Sequence, residues 1–333
     1  MMKHIQHINI TNFKSIRDLK LENCRRINLF IGYPNVGKSN ILEALSLFSV
    51  PFLKKGENLT RFVRAENKNE LFYNASEKEG EVKTNLTKVI LENDIATLRF
   101  FFEEADVFHP GCRFTNNLEM EYYTPNFKER GDCYKVKRYL FSQATQWKSI
   151  GQDLLLPPFG ENIIDVLSYS TLLTDMKIWM KKEFSKFGLE YVLDKSSSSI
   201  KTQRRLGNDE IMLLPYSSMA DTLQRVIFYK TAIASNKDSI LLFEEPEAHA
   251  FPPYIKSITQ DIINSTTNQF FIATHSNIIV NDFLEYDGLR KDVAIYLIDF
   301  KDGQTSAKRL SDEEVNEVYN DGEDLFFNIE KFL

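Results

Sequence analysis

The sequence predicts an α/β fold: a mixed, largely parallel sheet flanked by helices, with an antiparallel β subdomain and a helical insertion lobe. Three observations point there. Strand and helix patterns alternate from about residue 208 onward. A glycine-bearing loop joins a strand to a helix at residues 32–39. Short strand-like segments follow one another between residues 87 and 142, before the texture changes at "LPPFGEN", residues 156–162. The expected division is therefore residues 1–155, the amino-terminal half with the β subdomain; 156–207, a mainly helical lobe; and 208–333, the carboxy-terminal half.

The elements follow from their patterns. "KHIQHINITNF" and "LKLENCRRINLFIG" read as strands, with Ile8, Ile10, Leu19 and Leu21 on one face. From Lys38 the period becomes helical through Ile41, Leu42, Leu45 and Phe48, until Pro51 stops it. Residues 51–80 read as a charged loop. "TKVILEN", "ATLRFFFEE", "LEMEYYTP" and "YKVKRYLFS" are strand candidates, separated by turns such as Asn93-Asp94 and Gly131-Asp132. Leu172, Met176, Trp179, Met180 and Phe187 form an amphipathic helical stripe, and "KSSSSIKTQ" a loop or exposed edge. "EIMLLP", "SILLF", "QFFIATH" and "VAIYLIDF" then alternate with helices, the first of which starts at Ser218 and the second near 253–265. A hairpin is expected at Asp302-Gly303, and a helix opens at Ser311 with Glu314 completing a capping box.

Composition sets the outer bounds. Apolar residues make up 43% and charged residues 26%, which suits a soluble globular chain with a substantial core. No apolar run approaches the ~20 residues a membrane helix needs, and the first ten residues lack a secretory stretch. Cys24, Cys112 and Cys133 give neither a disulfide framework nor a zinc spacing, so a cytoplasmic location is expected. A net charge of −6 exerts no global pull on nucleic acid.

"GYPNVGKS" matches G-x-x-x-x-G-K-[ST] through Gly32, Gly37, Lys38 and Ser39, between the strand "RINLFI" and the helix "NILEALSLF". Such glycines let backbone N–H groups turn toward phosphates, aided by the helix amino terminus. Lys38 would reach the β- and γ-phosphates and Ser39 would hold Mg²⁺, so this is read as a nucleotide site. "SILLFEEPEAH" is an apolar strand ending in Glu244, placed to hold Mg²⁺, and Glu245, placed to polarise an attacking water. The bland alternative is an acidic helix start. "FFIATHS" repeats the geometry and puts His275 at a strand end, in the same crevice or in a purely structural role.

These stretches, with "LLPYSSMADTLQRVIF", resemble the ABC-type ATPases of the SMC, RecF and OLD group, and among them small OLD-like AAA-type proteins of bacterial defence systems. The likeness covers roughly residues 3–50 and 208–285, about a third of the chain. It implies an ATPase head fold in which two ATPs are sandwiched between two heads, making a homodimer. Each phosphate loop would face a signature motif of the partner, here at Ser217 and Ser218; helix capping by Ser218 is the simpler alternative. The implied nucleotide contacts are Gly32, Asn35, Gly37, Lys38, Ser39 and Asn40, with Ser39 and Glu244 on Mg²⁺ and Glu245 and His275 catalytic. Two departures stand out. The magnesium acid is Glu where the group often has Asp, and Asn35 is shifted from the usual loop position, so slow turnover is expected. The water-coordinating glutamine is not located; Arg64 is a phosphate-side candidate.

No sustained heptad separates loop and signature, unlike SMC proteins, and the residues after His275 are too few for the nuclease domain of OLD nucleases. A GTPase is rejected because "NKDS", residues 236–239, lacks the specificity carboxylate. The leading expectation is an ATP-gated dimerising ATPase acting on a separately encoded effector, as in anti-phage defence. The alternative is a RecF-like DNA-binding clamp or loader, using Lys177, Lys181, Lys182, Lys186, Lys195, Lys201, Arg204 and Arg205 on phosphates, unless that stretch is a solvated face. A third reading is a switch that binds ATP without hydrolysis.

Overall fold

A computed structural model of the chain describes residues 4–94, 97–104, 107–123, 135–143, 147–169, 174–194, 196–197, 199–207, 209–322 and 324–333. The turn expected at Gly131-Asp132, Cys133, Leu172 and Lys195 lie outside the described residues.

The chain opens with β1 (Ile8–Phe13), β2 (Ile16–Leu21), β3 (Ile27–Ile31) and α1 (Lys38–Ser46). After short 3-10 turns come β4 (Gly80–Thr84), β5 (Lys88–Asn93), β6 (Thr97–Glu104), β7 (Val107–Thr115), β8 (Met120–Tyr123) and β9 (Val136–Tyr139). Then follow α2 (Ile163–Tyr169), α3 (Thr174–Ser185), β10 (Glu190–Asp194), β11 (Ser199–Gly207) and β12 (Glu210–Pro215). Next are α4 (Asp221–Ala234), β13 (Ile240–Glu244), α5 (Pro252–Asn264), β14 (Gln269–Ala273), α6 (Asn277–Leu284) and α7 (Asp287–Arg290). The last elements are β15 (Val293–Lys301), β16 (Gln304–Arg309), α8 (Asp312–Asn320) and α9 (Ile329–Phe332).

Two compact units result. The first comprises Met1–Arg138, Asp238–Glu245 and Thr267–Leu333; the second comprises Tyr139–Lys237 and Pro246–Thr266. The chain is thus cut differently from the three consecutive segments expected. β13 and β14 join the sheet of β3, while α4 and α5, which precede each of them, belong to the second unit.

Among the described residues, the first unit holds a six-stranded sheet ordered β16-β15-β3-β14-β13-β9. β15, β3, β14 and β13 run parallel. Every residue of "INLFI" and "QFFIA" is buried, which is why these strands read as continuous apolar runs rather than alternating ones. β15 and β16 form the expected hairpin, with Asp302 (φ 51°) and Gly303 (φ 77°) both left-handed, as a tight two-residue turn requires. β9 lies at the edge of this sheet, not among the antiparallel strands where its position in the chain had put it. All four of its residues are buried, as suits a covered sheet.

The antiparallel sheet of the first unit is ordered β2-β1-β4-β5-β6-β7-β8. Ile8 pairs with Leu21 and Ile10 with Leu19, and all four are buried, as their alternation predicts. α1 ends in a 3-10 turn containing Pro51. Its Ile41, Leu42 and Leu45 share one core with Val82, Val89 and Leu91 of this sheet and Leu242, Phe271 and Ala273 of the other. The capping box of Ser311 and Glu314 is present at α8.

In the second unit β10, β11 and β12 form an antiparallel sheet beside α2 and α3, so residues 156–207 are mixed rather than mainly helical. Met176 and Met180 are buried, whereas Phe187 lies beyond the end of α3 and is exposed. "KSSSSIKTQ" contributes to the middle strand of this sheet, not an edge. "EIMLLP" is the edge strand β12 rather than a strand of the large sheet, with Ile211 and Leu213 exposed. Among the described residues, no helix is long and apolar enough to cross a membrane.

Candidate functional site

β3, β14 and β13 are adjacent and parallel, so their carboxyl ends form one rim. Ala273 is in register with Phe30 on one side and Glu244 on the other. The loop after β3, the Thr274–Ser276 segment and the Glu244-Glu245 pair therefore meet, as ligand-binding groups do in open α/β sheets. They line a cavity of about 450 Å³, together with Lys14, Glu43 and Arg64, all within the first unit.

The loop's shape explains its glycines. A Cβ on Gly32 would lie 2.1 Å from the Ile298 carbonyl oxygen. Gly37 has φ +104°, and a Cβ there would lie 2.0 Å from Thr305 Oγ1. Only glycine meets both demands at position 37. Thr305 donates to the Val36 carbonyl at 2.9 Å and contacts Ser15 Oγ at 2.6 Å, and Asn40 Nδ2 donates to Ser15 Oγ at 2.7 Å. Asn35, at φ 63°, and Asn40 both line the cavity.

Lys38 Nζ donates to the carbonyls of Gly32 and Tyr33, each at 2.8 Å. Burial pushes its ammonium down to about 8, against the upward pull of Glu245 and Glu244. Ser39 Oγ donates to Glu244 Oε1 at 2.5 Å. Glu244 also accepts from Arg64 on Oε1 and from Arg138 Nη2 on Oε2, the latter at 2.6 Å. Burial raises the Glu244 carboxyl, but Arg138, Ser39 and Arg64 outweigh it and hold the group below the ordinary range. Glu245 has φ 43°, with its N–H bonded to the Ala273 carbonyl at 2.8 Å. Its Oε1 lies 3.6 Å from His275 Nε2. Burial, then Lys38, lowers the His275 imidazole despite Glu245, and this lowering favours the neutral ring.

The residues fit Mg²⁺. A serine hydroxyl and one carboxylate oxygen, both hard donors, converge at the cavity wall. Among the described residues no cluster of three or more His, Cys, Asp or Glu could hold a metal. A sparse oxygen pair is what magnesium uses when phosphate and water complete its shell.

Glu43, Lys14 and Arg138 escaped the sequence reading. Glu43 is 1% exposed; Lys14 donates to its Oε2 and Arg64 Nε to its Oε1 at 3.0 Å. Glu43 sits between Leu42 and Ala44 in "ILEAL", within a turn of Ile41 and Leu45, and nothing local signals the cations that meet it. Arg64, the phosphate-side candidate, lines the cavity.

Ser217 and Ser218 belong to the second unit, within a 3-10 turn at Tyr216–Ser218. Met219 is extended and α4 starts at Asp221, with Ala220 at the cap position, where its methyl group offers no acceptor for a side-chain cap. The helix does not start at Ser218, and Ser218 does not cap it. In the basic stretch of this unit, Lys186 pairs with Glu183 at 2.7 Å, Lys201 with Asp194 at 2.6 Å and Arg205 with Glu190 at 3.7 Å. Local acids thus neutralise part of the charge that composition suggested.

Residues 2–149 match the family model of an AAA ATPase domain, and residues 171–281 match a second AAA domain model, also described under AbiEii toxin, type IV TA system. An uncharacterized protein of Methanocaldococcus jannaschii is 47% identical over 60 residues, 18% of this chain and 26% of that protein. The DNA replication and repair protein RecF of Caldanaerobacter subterraneus subsp. tengcongensis is 34% identical over 70 residues, 21% of this chain and 19% of RecF. The chain thus matches about a quarter or less of the length of these curated relatives. An SMC head bound to the C-winged helix domain of ScpA superposes with a TM-score of 0.52 at 15% identity, over 95% of this chain and 100% of that one. An SMC head with an extended coiled coil, bound to the C-terminal domain of ScpA derived from Pyrococcus furiosus, gives 0.54 at 12% identity, over 96% and 99%. The fold is that of an SMC head domain.

Proposed function

We propose, from the premise of an ABC-type ATPase of the SMC and RecF group that these matches support, that the chain binds ATP with magnesium, hydrolyses it, and closes on a second copy of itself while ATP is bound. The observation that carries this reading is the convergence of Lys38, Ser39, Glu244, Glu245 and His275 on one cavity. Lys38 supplies positive charge for the terminal phosphates. Glu245 takes the proton of the attacking water, and His275 beside it orients that water or the γ-phosphate. Magnesium, when bound by Ser39 and Glu244, neutralises phosphate charge and aligns the leaving group. Ser217 and Ser218 complete the site of the partner copy.

Closure changes the surface offered to a separately encoded effector, and hydrolysis releases it. The match of residues 171–281 to an AAA domain of a type IV TA system supports a two-component arrangement, and with it an anti-phage role. The test is the mass in solution with ATP·Mg²⁺ and with ADP. Doubling with ATP is expected, trapped by Glu245→Gln and abolished by Lys38→Ala; a mass that nucleotide does not move overturns ATP-gated dimerisation.

The RecF match favours a second reading, a DNA clamp or loader. It predicts salt-dependent DNA binding that charge reversal at Lys181, Lys182 and Arg205 removes. Unchanged DNA affinity in that variant eliminates it.

A further inference from the structure

We propose that Arg138 is a positioning residue, which pins one oxygen of Glu244 so that the other is presented to Ser39 and the metal. The inference rests on the nucleotide-site reading above. Arg138 stands on β9, at the sheet edge beside β13, and is 2% exposed. Its Nη2 holds Glu244 Oε2 at 2.6 Å. Its Nη1 donates to the Phe62 carbonyl and lies 3.9 Å from Glu43 Oε1. The guanidinium is thereby anchored at both ends.

Two arginines touch Glu244, and they differ. Arg64 shares Oε1 with Ser39 and has a side chain 67% exposed at the cavity, so an incoming cation displaces it readily. Arg138 holds the opposite oxygen from inside the protein. A glutamate has one more torsion than an aspartate, and an unrestrained carboxylate at this position would swing. Locking Oε2 fixes the carboxylate and leaves Oε1 toward the cavity.

The placement makes little sense as a device for stability. Burying a guanidinium is costly, and apolar side chains of similar volume often serve a fold as well or better. Arg138 Nε, moreover, makes no hydrogen bond among the described residues. Groups that orient a metal-binding carboxylate, by contrast, act directly on metal affinity.

The test uses Mn²⁺ as the metal probe, with its binding to the protein·ATP complex read by electron paramagnetic resonance. Nucleotide affinity is measured separately in EDTA, and melting temperature is followed for every variant. Arg138→Met is expected to weaken Mn²⁺ binding by roughly 10- to 100-fold while metal-free ATP affinity stays unchanged. Arg138→Lys, which keeps the charge but not the fork, is expected to lose less and serves if the methionine variant does not fold. In a Glu244→Asp background the loss is expected to shrink, since the shorter side chain needs less restraint. A lower melting temperature with unchanged Mn²⁺ affinity, or an equal loss in both backgrounds, overturns the inference alone. A wild-type protein that binds neither ATP nor Mn²⁺ overturns the nucleotide-site reading, and this inference with it.

Discussion

Ser39 Oγ donates to Glu244 Oε1 at 2.5 Å, joining the first turn of α1 to the carboxyl end of β13 across 205 positions of sequence. Two groups that meet this closely act as a unit. Ser39→Ala and Glu244→Gln are each expected to weaken magnesium-dependent ATP binding. Their combination should fall short of additivity by about 0.5–3 kcal/mol. Calorimetric titration with ATP, with and without Mg²⁺, closes the cycle.

Glu245 is held in a left-handed backbone conformation by its neighbour strand, with its side chain at the cavity. Glu245→Gln keeps the shape and removes the base. Single-turnover hydrolysis should fall by about 10²–10⁴ while ATP affinity is retained. Equal turnover in the variant and the wild type would mean that Glu245 is not the base.

Lys38 titrates at about 8 in the ligand-free protein, and phosphate binding favours its charged form. ATP affinity is therefore expected to be flat below pH 8 and to decline above it, by up to about tenfold per pH unit. Lys38→Ala should bind weakly and without that decline. The same shift affects folding with a definite sign. The unfolded chain holds this proton up to its ordinary value of 10.5, so the group adds stability as pH rises from about 8 toward 10.5. Binding isotherms between pH 7 and 9.5, with urea melts in parallel, test both.

Glu43 is a buried carboxylate facing Lys14 and Arg64. Glu43→Ala leaves the half-buried Lys14 without its counter-charge and is expected to cost about 3 kcal/mol of stability. Glu43→Gln, which retains an acceptor, should cost less. Urea denaturation of the two variants ranks them; indistinguishable midpoints would contradict the ion-pair account.

The site was legible where its chemistry is written in contiguous residues. Gly37-Lys38-Ser39 sits between a strand and a helix, Glu244-Glu245 ends an apolar run, and His275 ends another. Each announces its place at a strand's carboxyl end. Arg138 and Glu43 were not legible because their meaning lies in pairs far apart: Arg138 finds Glu244 106 positions away, and Arg64 finds it 180 away. The fold was misread where length was short or polarity misleading. "VKRY" is four residues long and gives no period with which to choose between two sheets. "EIMLLP" looks like a buried strand, yet Ile211 and Leu213 of β12 face solvent. β7 contains Pro110 and Gly111, which interrupt the alternation that would have marked it.

The strand order of the large sheet also bears on how the molecule comes into being. β3 is flanked by β14 and β15, whose first residues are Gln269 and Val293. On the ribosome, the strand that leads into the loop at residues 32–39 emerges first of the three and waits for more than 200 residues before either neighbour exists. β1, β2, β4 and β5 meet no such delay, since they pair with strands close in sequence. Pairings so distant are the slow ones in folding. A translation product that stops short of β14 therefore lacks the rim on which Lys38, Glu244 and His275 meet. On the proposed function, nucleotide capture waits until β14 and the residues that follow it have been made.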